Sequence, residues 1–66
     1  MTGYDVRIEN HGSIVLVQPL TDTAREWLTA NVGEDSMYFG GALVVEPRYL
    51  GELVDGMVSD GLNLFN

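Results

Sequence analysis

A chain of 66 residues without a single cysteine must stabilise itself through one core. At this length folding removes only about 60 % of the surface that an unfolded chain exposes, and no disulfide or thiolate-held metal can supplement apolar burial. The elements must be short, closely connected and stacked on one apolar surface. Composition allows this: 45 % of residues are hydrophobic, including one Trp, three Tyr and two Phe, too apolar for a disordered acidic tail. The longest apolar runs, residues 14–17 and 42–45, are far too short to cross a bilayer, and residues 1–5 lack the basic and apolar stretches of a signal peptide. One small acidic domain over residues 1–66, soluble and cytoplasmic, is expected.

Periodicity divides the chain into a β-β-α-β-α order. In residues 4–9, Tyr4, Val6 and Ile8 alternate with Asp5, Arg7 and Glu9, so one strand face is apolar and the other charged. The turn-rich step Asn10, His11, Gly12 and Ser13 leads into a second strand, residues 14–18, as an antiparallel hairpin. Ile14, Val15, Leu16 and Val17 are apolar on both parities, which calls for cover on both faces, from within the domain or from a second copy. Pro19 ends this strand, and Thr21 with Asp22 carries the N-cap signal of a helix running to about Val32, where Gly33 stops it. Ala24, Trp27 and Leu28 form its inward side, with Trp27 a core anchor rather than a ligand platform.

A third strand is predicted over residues 37–46, with Gly40 and Gly41 marking a bulge or sharp bend at its midpoint. Those glycines do not make a phosphate cradle, for which a third glycine, a lysine and a strand-to-helix junction are all missing. Glu46 and Pro47 open a last helix. Its inward side is Leu50, Leu53, Val54, Met57 and Val58, its outward side Arg48, Glu52, Asp55 and Ser59. Gly61 ends it, and Leu62, Leu64 and Phe65 fold back as a short apolar lid. Gly51 and Gly56 each weaken this helix by up to about 1 kcal/mol relative to alanine, which calls for compensation that the sequence does not identify, close packing on the sheet being one source. The predicted fold is α+β, a two-layer sandwich with a three-stranded, mainly antiparallel sheet and both helices on one face. Strand one takes the centre, and Asp5, Arg7 and Glu9 lie on the uncovered face.

Ten acidic residues against three arginines and no lysine give a net charge of −7. That balance repels nucleic acid and anionic membranes, leaving a basic protein surface as the natural partner. Catalysis has little to stand on. His11 is the lone histidine and sits in a turn, and pairs such as Glu34 with Asp35 or Glu52 with Asp55 have too little wall around them to be desolvated. No EF-hand spacing is present, and Glu34 with Asp35 offers too few oxygens for a tight cation site, so neither metal nor cofactor is expected. Binding through charge remains. Carboxylates three or four positions apart on a helix lie about 5–6 Å apart and present a row of negative charge like a phosphate backbone. Glu52, Asp55 and Asp60 of the last helix with Glu34 and Asp35 of the loop form the candidate face, and Asp5 and Glu9 a second patch on the sheet. The target chemistry is an Arg- and Lys-lined groove built to hold DNA.

Several runs carry a resemblance across most of the chain. They are Gly12-Ser13-Ile14, Pro19-Leu20-Thr21 with Ala24-Arg25-Glu26-Trp27, the stretch from Phe39 through Gly40-Gly41 to Glu46-Pro47-Arg48-Tyr49, and Asp60-Gly61-Leu62. Together they resemble a family of very short proteins from phages, plasmids and bacterial genomes that includes type I-C anti-CRISPR proteins of Pseudomonas mobile elements. The resemblance implies an inhibitor in the bacterial host cell that binds the large subunit of the type I-C surveillance complex and blocks DNA loading. It supplies no functional motif to carry over residue by residue, so the acidic residues above rest on charge and helical facing alone. The alternative is an acidic interaction module or homodimeric regulator, monomer and homodimer both being open, whose second strand or Tyr38-Phe39 makes the contact.

Overall fold

The computed structural model describes residues 3–32 and 36–65. Gly33, Glu34 and Asp35, expected as a helix stop and acidic loop, lie outside the described residues. Within them the order is β1 Val6–Asn10, β2 Val15–Pro19, α1 Asp22–Asn31, β3 Tyr38–Phe39, β4 Ala42–Val45, α2 Pro47–Ser59 and β5 Leu64–Phe65. The α+β class holds with two helices. The sheet, however, is mixed and has five strands in the order β3-β4-β2-β1-β5.

Strand β2, not β1, lies at the centre. It pairs antiparallel with β1 in the register Ile8↔Val17 and antiparallel with β4 in the register Leu16↔Val44. Its double-sided apolar character fits that position, since a strand with neighbours on both edges and cover on one face buries most of itself. Val15 and Val17 are sealed against the helices, whereas Leu16 is half-buried on the other face. The hairpin step is closed by the Asn10 Oδ1, which accepts the Gly12 N–H at 2.8 Å, and by the His11 N–H donating to the Ile14 carbonyl at 2.9 Å.

The single strand expected over residues 37–46 is two strands. Gly40 and Gly41 both adopt positive φ, +58° and +85°, so the chain reverses in a two-residue turn and Phe39 pairs with Ala42. A turn of that hand requires positive φ at both central residues, which glycine adopts without steric cost. The paired glycines thus build a hairpin rather than a bulge within one strand.

The fifth strand comes from the segment expected as a lid. Helix α2 ends in a Schellman arrangement: Gly61, at φ +88°, donates its N–H to the Val58 carbonyl and Leu62 donates to Met57, each at 3.0 Å. Leu62 is buried beside Met57, and Leu64–Phe65 then pairs parallel with Val6 and Arg7.

Val6, Ile8, Val15, Val17, Leu43 and Val45 from the sheet meet Ala24 and Leu28 of α1 and Met57 of α2 in one core, with Trp27, Leu50, Leu53 and Val54 packed around it. Both helices therefore cover the same sheet face, as the periodicity indicates. Val58 is the exception to the predicted inward side of α2: it is 58 % exposed and takes no part in the core. Gly56 finds its explanation on α1 rather than on the sheet. A Cβ there would stand 3.2 and 3.3 Å from Cζ2 and Cη2 of Trp27, so the indole packs onto bare helix backbone. Among the described residues no neighbour lies within 4 Å of where a Cβ at Gly51 would stand, and nothing there explains that glycine.

Candidate partner-binding surface

The charges are segregated by layer. On the sheet side, Arg7 lies 2.9 Å from Glu9, and His11 stands 3.3 Å from the other oxygen of the same carboxylate. On the helices, Arg25 pairs with Asp22 at 2.7 Å and Arg48 reaches Glu46 at 3.5 Å. Every arginine thus has a carboxylate beside it. Glu26 on α1 and Glu52 and Asp55 on α2 are exposed and, among the described residues, have no cationic or hydrogen-bonding partner. The uncompensated negative charge therefore collects on the outward side of the helical layer.

Helix geometry sets the spacing within that layer. Glu52 and Asp55 are three positions apart on the exposed side of α2, so their Cβ atoms lie about 5–6 Å apart. Asp60 caps the same helix, and its carboxylate accepts the indole N–H of Trp27. Trp27 is thus a half-buried anchor that also fixes one of the candidate carboxylates. Glu26 joins this surface although charge counting alone does not single it out. Its signal is the α1 periodicity, which places it opposite buried Ala24 and Leu28.

The second patch divides. Glu9 is on the uncovered sheet face but is occupied by Arg7 and His11. Asp5 precedes β1 and serves as a tie between segments. Its Oδ1 accepts the Thr21 hydroxyl at 2.9 Å and its Oδ2 accepts the Asn63 N–H at 3.0 Å, while its backbone carbonyl receives the Leu20 N–H at 2.7 Å. Thr21 in turn caps α1 by accepting the Ala24 N–H at 3.1 Å. One carboxylate thereby links the start of β1, the first turn of α1 and the approach to β5.

The uncovered sheet face is apolar at one side. By register, Phe39 and Ala42 share it with Val44 and Leu16, and Phe39 is 72 % exposed. Arg7 and Glu9 cross its middle, and Phe65 packs against Tyr4 at the far edge with ring centroids 5.1 Å apart. Tyr38 belongs to the opposite parity and points toward the helical side beside Leu43. Among the described residues no group of three metal-ligating side chains comes together, and no helix is long and apolar enough to cross a membrane. Comparisons with protein-family models, with curated proteins and with solved structures found no match.

Proposed function

We propose that the chain is an inhibitor that occupies the DNA-engaging surface of a type I-C CRISPR surveillance complex by mimicking the charge of a duplex. The observation that carries this reading is the segregation of charge: each arginine has a carboxylate beside it, while Glu26, Glu52 and Asp55 stand unpaired among the described residues on one helical layer beside Asp60. Glu34 and Asp35, between α1 and β3 in sequence, remain candidate contacts on charge alone; Asp5 and Glu9 contribute through fold and field rather than direct contact. Such a surface is steered into a groove lined by Arg and Lys and competes there with nucleic acid without chemistry of its own.

The test is capture of purified type I-C complex by the tagged protein at low and high salt, with and without target duplex. Competitive mimicry requires that duplex abolish capture and that salt weaken it. Exchanging Glu52 and Asp55 together for lysine should abolish capture with the thermal midpoint little changed, since both residues are exposed. Unchanged capture by that variant would remove this face from the mechanism.

A second reading, an interaction module that pairs with another copy of itself, is favoured by the apolar side of the uncovered sheet face. A twofold axis there would set Arg7 of one copy against Glu9 of the other. Self-association that survives high salt and is lost on replacing Phe39 by serine would select this reading.

A further inference from the structure

Between the first turns of α2 and strand β4 runs an open cleft of about 340 Å³. Val32, Leu43, Val45 and Leu53 make its apolar floor, and Glu46, Tyr49 and Glu52 stand among its lining residues. Tyr49, Glu52 and Leu53 share one side of α2 because they are three and four positions apart. An apolar trough with carboxylates beside it disfavours an anion. It suits a long side chain with an aliphatic stem and a cationic head.

Two of these lining residues already hold a guanidinium just outside the cleft, that of Arg48, which does not line it. The Arg48 guanidinium reaches Glu46 at 3.5 Å and lies over the Tyr49 ring, its Cζ 4.8 Å from the centroid. Carboxylate and aromatic ring together form the setting in which a planar guanidinium is held better than an ammonium. One turn further on, Glu52 lines the same cleft without a cationic partner among the described residues. It can receive a second guanidinium whose methylenes lie on Leu53 and Val32.

We infer that this cleft is a docking site for an arginine side chain of a basic protein partner, with Glu52 pairing its head and the trough between α2 and β4 covering its stem. The inference rests on the reading of the chain as a ligand of a basic protein surface and names where that surface would anchor. It also assigns Glu52 a different part from Asp55. Asp55 is not among the residues lining the cleft and contributes to the field, whereas Glu52 makes a located contact.

The experiment uses the isolated chain and n-butylguanidinium as the probe, titrated into isotopically labelled protein at fixed ionic strength and followed by NMR. The expected result is saturable shifts confined to Val32, Val45, Tyr49, Glu52 and Leu53. Guanidinium without the butyl stem should bind about ten-fold more weakly, and Glu52→Gln should weaken the butyl probe about three-fold with an unchanged spectrum elsewhere. Equal, non-saturating shifts at Asp22, Glu26 and Asp55 would overturn the inference, as would an affinity that Glu52→Gln leaves intact. The titration needs no surveillance complex, so a saturable cleft on a chain that fails to capture the complex would sink the inhibitor reading while leaving the cleft standing. Capture without a saturable cleft would do the reverse.

Discussion

Alanine at the two glycines inside α2 should have opposite effects on stability. Gly51 and Gly56 both lie within Pro47–Ser59, where replacing glycine by alanine raises helix propensity by about 1 kcal/mol. At Gly51 nothing stands within 4 Å of the new methyl, so Gly51→Ala should stabilise the protein by about 0.5–1 kcal/mol. At Gly56 the methyl would meet Trp27 carbons at 3.2 and 3.3 Å, where unstrained carbon contacts are about 3.5–4.0 Å. The indole cannot withdraw freely, because its N–H is held by Asp60 and it packs against the core. Overpacking of this kind costs about 1–3 kcal/mol, more than the propensity gain. Gly56→Ala should therefore lie about 1–3 kcal/mol below Gly51→Ala in stability. In a domain this small each kcal/mol moves the melting midpoint by about 4–8 °C, so circular-dichroism melts resolve the difference easily. Replacing Trp27 by leucine should remove most of the gap in a double-mutant cycle, since the clashing atoms would be gone. Equal stabilisation by the two alanines would refute the account of Gly56 as the seat of the indole.

Three other perturbations test separate parts of the structure. Asp5→Ala removes the acceptor of both the Thr21 hydroxyl and the Asn63 N–H and should cost about 2–3 kcal/mol, with hydrogen exchange at Asn63 rising more than at β2; protection at Asn63 equal to the parent's would show that the tie is idle. Thr21→Ala removes the N-cap acceptor of the Ala24 N–H and should cost about 1 kcal/mol in urea melts, with no effect on partner capture. Leu28→Ala opens the centre of the core and should cost about 2–5 kcal/mol, enough to leave much of the population unfolded at room temperature by NMR.

What could be read from the sequence depends on whether a residue's role is local. The N-cap at Thr21, the hairpin step after Asn10, the inward side of α1 and the glycine stop at Gly61 are set by neighbours within a few positions, and each stands in the structure where its pattern places it. Strand order is decided by long-range pairing, and here the local pattern misleads. Placing β1 between β2 and the later strand puts that strand on the wrong edge: β4 pairs with the doubly apolar β2, and β1 takes its second neighbour from the short β5 instead. Leu64–Phe65 is too short to announce a strand and becomes one only because the Schellman turn delivers it alongside β1. Within the candidate surface, exposure of Glu52 and Asp55 follows from helical periodicity. The capture of Asp60 by Trp27 spans 33 positions, and Asp5 bridges to a residue 58 positions away; no local signal carries either.

Salt acts in opposite directions on the fold and on the proposed interaction, which makes a salt series decisive. A net charge of −7 on 66 residues repels itself, and the unpaired carboxylates share one layer, so added salt should raise the melting midpoint by screening that repulsion. Attraction between this layer and a basic groove is screened by the same ions, so capture should fall over the same range. A protein that becomes more stable while it binds less cannot be losing its partner through unfolding. The sheet face adds a contrast within the same molecule: Arg7 and Glu9 neutralise one another there, and contact through Phe39, Val44 and Leu16 would be apolar. Association through that face should hold or strengthen as salt rises. The sign of the salt dependence therefore assigns the binding surface to one layer or the other before any residue is changed.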